Sequence, residues 1–159
     1  MPEWSRSALN PFLRAPLHLF WRLTRGMTLG VRAIATDEKG RICLVRHTYT
    51  PGWLLPGGGV EPGETMLTAL ERELREEAAI GLAGTPTLLG LYHNRAASRR
   101  DHVALYHAAA ITHLDTPRPR FEIAERGFFD LDALPEGTSP ATLRRISEWR
   151  EARAPAAEW

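Results

Sequence analysis

The run Pro56-Gly57-Gly58-Gly59 can continue neither a helix nor a strand, since Pro brings no backbone donor and three successive glycines hold no conformation of their own. The chain must turn there and restart after Pro62-Gly63. Thr65 to Ala78 then has helical period, with Leu67, Leu70, Leu74 and Ala78 as its apolar stripe. The same helix carries Arg72-Glu73-Leu74-Arg75-Glu76-Glu77, in which Glu73, Glu76 and Glu77 are related by i, i+3 and i+4. Three carboxylates therefore project from one side within a turn and repel each other. A hard divalent cation relieves that repulsion, because Mg²⁺ takes a few carboxylates together with waters and substrate phosphates.

The rest of the composition removes other readings. The chain has 159 residues, 43% hydrophobic and 25% charged, which fits one globular domain with a single core. A net charge of +1 gives no overall field for nucleic acid or an acidic surface. Lys39 is the only lysine, so the positive charge is carried by arginine, the better bidentate partner for carboxylate and phosphate. Cys43 is the only cysteine, which excludes an internal disulfide and a multi-cysteine zinc site, and its apolar neighbours place it in the core. No apolar stretch approaches the ~20 residues that span a bilayer. The histidines lack zinc-site spacing and there is no phosphate-binding Gly-x4-Gly-Lys-Ser/Thr loop. A cytoplasmic location is the expectation.

Residues 1–26 mix aromatic and aliphatic residues with Arg6, Arg14, Arg22 and Arg25 and read as a helical extension, with Asn10 and Pro11 at a helix start and Pro16 interrupting it. Two readings stay open: a helix buried on its own domain or on a second subunit, and a basic amphipathic helix on a membrane surface. The oligomeric state stays open, with a homodimer that packs or exchanges this extension as one reading. Residues 27–159 form the main domain. Thr28 to Thr36 and Arg41 to His47 read as a hairpin around Asp37-Glu38-Lys39-Gly40, and Leu54-Leu55 as a short strand. Thr87 to His93 and His102 to Ile111 read as another hairpin. A last strand surrounds Phe128-Phe129, and Ser139-Pro140 opens a helix to about Arg153 with Leu143, Ile146 and Trp149 buried. The order of elements predicts an α/β (α+β) domain, a mixed sheet sandwiched between helices.

Gly58-Gly59-Val60-Glu61-Pro62-Gly63-Glu64 through Arg72-Glu73-Leu74-Arg75-Glu76-Glu77-Ala78-Ala79-Ile80 resembles the Nudix box, Gly-x5-Glu-x7-Arg-Glu-U-x-Glu-Glu-x-Gly-U with U apolar. One defined position departs: Ala79 stands where the box has its last Gly, with Gly81 two places later, so the helix exit is expected to differ. Trp53-Leu54-Leu55-Pro56 before the box, and Glu122-Ile123, Glu125, Phe128-Phe129 and Leu134-Pro135 after it, look like the family's flanking pattern.

The resemblance implies a hydrolase that breaks the pyrophosphate of a nucleoside diphosphate linked to another moiety. It implies Mg²⁺, with Mn²⁺ as the alternative, held by Glu73, Glu76, Glu77 and the Gly57 carbonyl. Glu64 would position the loop through Arg72. The general base is expected at Glu122, at Glu125 or within the box. Arg46, Tyr49, Trp53, Tyr92 and Arg95 flank the box and are the candidates for charge on a phosphate and stacking on a base. A small nucleoside di- or triphosphate is the expected substrate, since Ala96 stands where the ADP-ribose branch tends to carry Pro. A non-catalytic nucleotide- or protein-binding module is the competing reading, and the complete set of box carboxylates weighs against it.

Overall fold

A computed structural model describes residues 26–115 and 122–159. The expected N-terminal extension lies outside these residues, apart from Gly26. The described chain has eight strands: β1 (Thr28–Ala35), β2 (Ile42–His47), β3 (Trp53–Leu54), β4 (Ile80–Leu82), β5 (Thr87–His93), β6 (Asp101–Ala108), β7 (Ile111–His113) and β8 (Ile123–Phe129). Helix α1 (Met66–Glu73) continues into a π-helical turn, Leu74–Ala78, and α2 is Pro140–Arg150. The strands form sheets of order β1-β6-β5 and β3-β2-β8, with β4 and β7 as a separate pair.

β1 and β2 do not form the expected hairpin. Only Thr36 and Ile42 bridge at the turn, after which β1 runs parallel to β6 while β2 pairs antiparallel with β3 and β8. The reason is burial on both faces. Val31, Ala33 and Ala35 of β1, with Cys43 and Val45 of β2, face Ala69, Leu70, Leu74 and Ala78 of the box helix. Ile34, Ile42 and Leu44 point the other way, toward Leu105, Ile146 and the partly buried Trp149. Each strand thus belongs to a different sheet, and the two helices cover opposite sides, as the mixed-sheet expectation required.

Two expected helix stripes need correction. Leu67 is exposed, because Ala69, Leu70 and Leu74 already fill the contact with the sheet. Leu143 is also exposed, and α2 instead buries Thr142, Arg145, Ile146 and Glu148. The expected strand from His102 to Ile111 is interrupted near Ala109-Ala110, so β7 leaves β6 to pair with β4.

Helix starts follow their side chains. Thr65 caps α1 by accepting from the Thr68 N–H at 3.1 Å, and Ser139 caps α2 by accepting from the Thr142 N–H at 3.2 Å, with Pro140 in the first turn. The helix exit is set by Ala79, which adopts the left-handed conformation at φ 54° and ψ 43°. It makes the turn that a glycine would make without its Cβ penalty.

Candidate active site

The glycine run lies against β1 almost as an extra strand. Val31 N–H donates to the Gly58 carbonyl at 2.8 Å, Ala33 N–H to Pro56 at 3.0 Å, and Val60 N–H returns the bond to Leu29 at 2.8 Å. Side chains would prevent this approach. Gly57 has φ +141°, and a Cβ there would strike the Val31 carbonyl; one on Gly58 would strike the Glu73 carboxylate. Glycine at both positions lets the loop backbone reach the carboxylates of α1.

Those carboxylates are distributed around the loop. Glu77 is 6% exposed and accepts from the Gly57 N–H at 2.9 Å through Oε2. Glu73 is 7% exposed and accepts from Arg72 Nη1 at 2.6 Å, while Glu76 Oε2 lies 3.5 Å from the same nitrogen. Arg72 also forks onto Glu64, Nε to Oε1 at 2.9 Å and Nη2 to Oε2 at 3.0 Å, and donates to the Gly59 carbonyl at 3.0 Å. The Arg72 hydrogen bonds, with one from the Glu61 N–H, hold Glu64 down to about 2. Hydrogen bonding to Glu64 in turn pushes the Arg72 guanidinium above its ordinary value.

The π-helical turn bears on this arrangement. Its extra residue widens the last helical turn across the segment that holds Glu76 and Glu77, a distortion that recurs at functional sites. Glu73 and Glu77, four residues apart, both reach the cleft. That cleft, about 440 Å³, is lined by Gly57, Gly58, Gly59, Glu73, Glu77, Arg32, His47, Tyr49 and Glu122, and at Trp159 by the last segment of the chain.

Donor chemistry fits a divalent cation here. Glu64, Glu73 and Glu76 all lie against the Arg72 guanidinium and Glu77 is buried on the Gly57 amide, a cluster of carboxylate oxygens of the kind a hard cation takes as ligands. Among the described residues the side chains do not converge as three ligands, since Arg72 and the Gly57 amide hold their oxygens. His47 Nε2 lies 3.3 Å from Glu77 Oε1 but out of hydrogen-bond alignment, and burial pushes the imidazole down toward its neutral form.

The other expected site residues separate into two groups. Glu122 and Tyr49 line the cleft. Glu125 does not, because it faces Arg46 across the β2–β8 ladder at 2.6 Å. Trp53 packs edge-on against Phe129 with ring centroids 4.9 Å apart, and Arg46 lies over its ring at 5.9 Å. Arg95 is exposed in the β5–β6 loop. Tyr92 is buried at 2% and donates its hydroxyl to Glu148 at 3.2 Å, so it lies beneath the cleft wall and does not reach a substrate. Sequence reasoning missed Arg32, which alternation along β1 puts on the same face as Thr28 and Gly30 and which donates to the Leu55 carbonyl at 2.9 Å. An arginine inside an apolar strand was the available signal. Nothing local marked Trp159.

The model of the NUDIX domain matches residues 26–150. The chain belongs to the Nudix family. A Burkholderia pseudomallei MutT Nudix hydrolase has the same fold at a TM-score of 0.64, with 29% identity over 76% of this chain and 95% of that one. A Bacillus subtilis protein named "Putative 8-oxo-dGTP diphosphatase" is 30% identical over 77% of this chain and 68% of its own length. The RNA pyrophosphohydrolase of Halorhodospira halophila is 41% identical over 63 residues, 40% of this chain, and the match spans only 35% of that relative. Among the described residues of this Nudix protein, no helix is long and apolar enough to cross a membrane.

Proposed function

We propose that this Nudix protein is a divalent-metal-dependent pyrophosphohydrolase acting on a small nucleoside di- or triphosphate. One observation carries the reading: Glu73 and Glu77, both nearly buried, meet the Gly57-Gly58 backbone in a cleft that also contains Glu122. The names of the Bacillus and Halorhodospira relatives support a phosphoanhydride as the bond broken.

Glu73, Glu76 and Glu77, with the Gly57 carbonyl, are the residues we propose to hold Mg²⁺, for which Mn²⁺ would substitute. A divalent cation there would supply positive charge against the phosphate oxygens and favour ionisation of water. The chain supplies the rest. Glu122 takes the proton from the water that attacks phosphorus, and the P–O bond of the anhydride breaks to give two phosphate products. Arg32 adds positive charge within the cleft. Arg72 fixes Glu73 and Glu76 in place through its bonds to Glu64 and the Gly59 carbonyl.

A phosphate-release screen over nucleoside di- and triphosphates, nucleotide sugars and dinucleotides, with Mg²⁺ and with Mn²⁺, tests the reading. Turnover should require the metal and should be lost in Glu76→Gln and Glu77→Gln variants that melt like wild type. Wild-type turnover in either variant would sink the metal assignment, and no turnover on any compound would favour a binding module.

A further inference from the structure

After α2 the chain does not leave the domain. Residues 154–159 return alongside the end of β5, where the His93 N–H donates to the Ala157 carbonyl at 2.9 Å and the Trp159 N–H to the His93 carbonyl at 3.1 Å. Arg145, 1% exposed, straps the segment down by donating to the Glu158 carbonyl at 2.8 Å while bonding Glu148 at 2.7 Å. Its guanidinium lies 4.3 Å over the Tyr92 ring and 5.7 Å from the Trp159 ring. Arg144 donates to the Trp159 carbonyl at 2.9 Å.

These contacts fix an indole at the cleft. Trp159 stands edge-on to Tyr92, with centroids 5.5 Å apart and planes at 78°. It lines the same 440 Å³ space as Glu73, Glu77 and Glu122. Asp101, held by Thr28 Oγ1 at 2.6 Å and Asn94 Nδ2 at 2.8 Å, lines that space too and retains acceptor capacity beyond those two bonds. A partly buried tryptophan next to a polar acceptor, in a cleft whose carboxylates would take phosphate through a divalent cation, matches the two halves of a nucleotide.

We propose that Trp159 is the stacking platform for the nucleotide base, and that Arg145 is a positioning residue which holds it there. The inference rests on the nucleotide pyrophosphohydrolase reading above. It also explains why Tyr92 is buried: its ring supports the indole that meets the substrate.

The test compares Trp159→Ala and Trp159→Phe with wild type, each checked by thermal melting. The readouts are steady-state kinetics on the best nucleotide from the screen and calorimetric titration of its nucleoside monophosphate in chelator. Titration of tripolyphosphate, a polyanion without a base, is run in parallel. Loss of a stacked base predicts that Trp159→Ala raises KM and the monophosphate Kd between ~5-fold and ~150-fold, with kcat little changed. Phe should recover most of the loss, and tripolyphosphate affinity should stay at the wild-type value in all three proteins. Unchanged KM and monophosphate Kd in Trp159→Ala would overturn the proposal, as would an equal loss of tripolyphosphate affinity. If the wild type cleaves no nucleotide yet binds the monophosphate in a Trp159-dependent way, the hydrolase reading falls and the stacking role stands. If it neither cleaves nor binds, both fall.

Discussion

Arg46 Nη2 lies 2.6 Å from Glu125 Oε1 across the β2–β8 ladder, and the register of that ladder slips by one residue immediately afterwards. The bulge pairs His47 with Ile123, and Thr48 N–H then donates to the Glu122 carbonyl at 2.9 Å. Glu125 is held on Arg46, while Glu122, three residues earlier and just before β8, lines the cleft. Glu122→Gln should lower kcat by about 10²–10⁴-fold, the usual size of a general-base contribution. Glu125→Gln should leave kcat within a few-fold of wild type. Matched metal-saturated kinetics of the two variants decide it, and the reverse pattern would move the base to Glu125.

The fork from Arg72 to Glu64 sets a pH dependence. Glu64 is held at about 2, below the ordinary carboxylate range, so its folded-state pKa is depressed. Its contribution to stability is therefore present above the unfolded value and is lost as pH falls through about 2. Carbon-detected NMR titration should place the Glu64 midpoint near the low value in the wild type. In Arg72→Met it should return toward the ordinary carboxylate range, and a midpoint that does not move would show that Arg72 is not the cause.

Ala79 should tolerate glycine and little else. Left-handed backbone costs a non-glycine residue roughly 1–2 kcal/mol, whereas glycine loses roughly 0.5–1 kcal/mol in backbone entropy and gives up a buried methyl. These terms nearly cancel, so Ala79→Gly should fall within about 1 kcal/mol of wild type in denaturant unfolding. Ala79→Val adds a β-branch at a position 6% exposed and should lose more than ~2 kcal/mol. Equal stability of Gly and Val variants would contradict this.

Arg145 is charged, buried and paired with Glu148 at 2.7 Å. Arg145→Met removes the charge partner of the Glu148 carboxylate, which keeps the Tyr92 hydroxyl bond, and should cost about 3–5 kcal/mol in urea unfolding. The double variant Arg145→Met with Glu148→Leu removes both charges and should be more stable than the single one. Additive losses would mean that the pair does not interact.

Cys43 lies at 1% exposure among Val45, Leu74 and Ala78. Burial pushes its thiol up to about 12, with Arg126 opposing and Glu77 adding to the shift, so the reactive thiolate is scarce at neutral pH. A chromogenic disulfide reagent should leave the folded protein unmodified and should label one thiol per chain once urea unfolds it. Rapid labelling of the native protein would refute that placement.

Local sequence revealed the box helix, the glycine turn, the start of α2 at Ser139-Pro140 and most strands, because each depends on near neighbours. It did not reveal how β1 and β2 are partnered. Asp37 to Gly40 make a sound turn, but pairing is decided by which strands can bury two apolar faces, and that is settled by β6 and β8 far along the chain. The site divides in the same way. Glu73, Glu77 and Glu122 were legible from spacing and resemblance, and the structure brings them to one cleft. Arg32 and Trp159 were not, since neither belongs to a motif and each reaches the cleft only through long-range register. Tyr92 was misread because an aromatic next to a loop looks the same in sequence whether it faces substrate or lies one layer below.

The return of residues 154–159 also affects how the molecule meets its neighbours. β5 lies at the margin of its sheet and exposes Leu88 and Leu91, the kind of border on which another chain can add a strand. The two bonds to His93 occupy the end of that border next to the cleft, so the segment proposed to shape substrate choice also keeps a foreign strand from docking over the entrance.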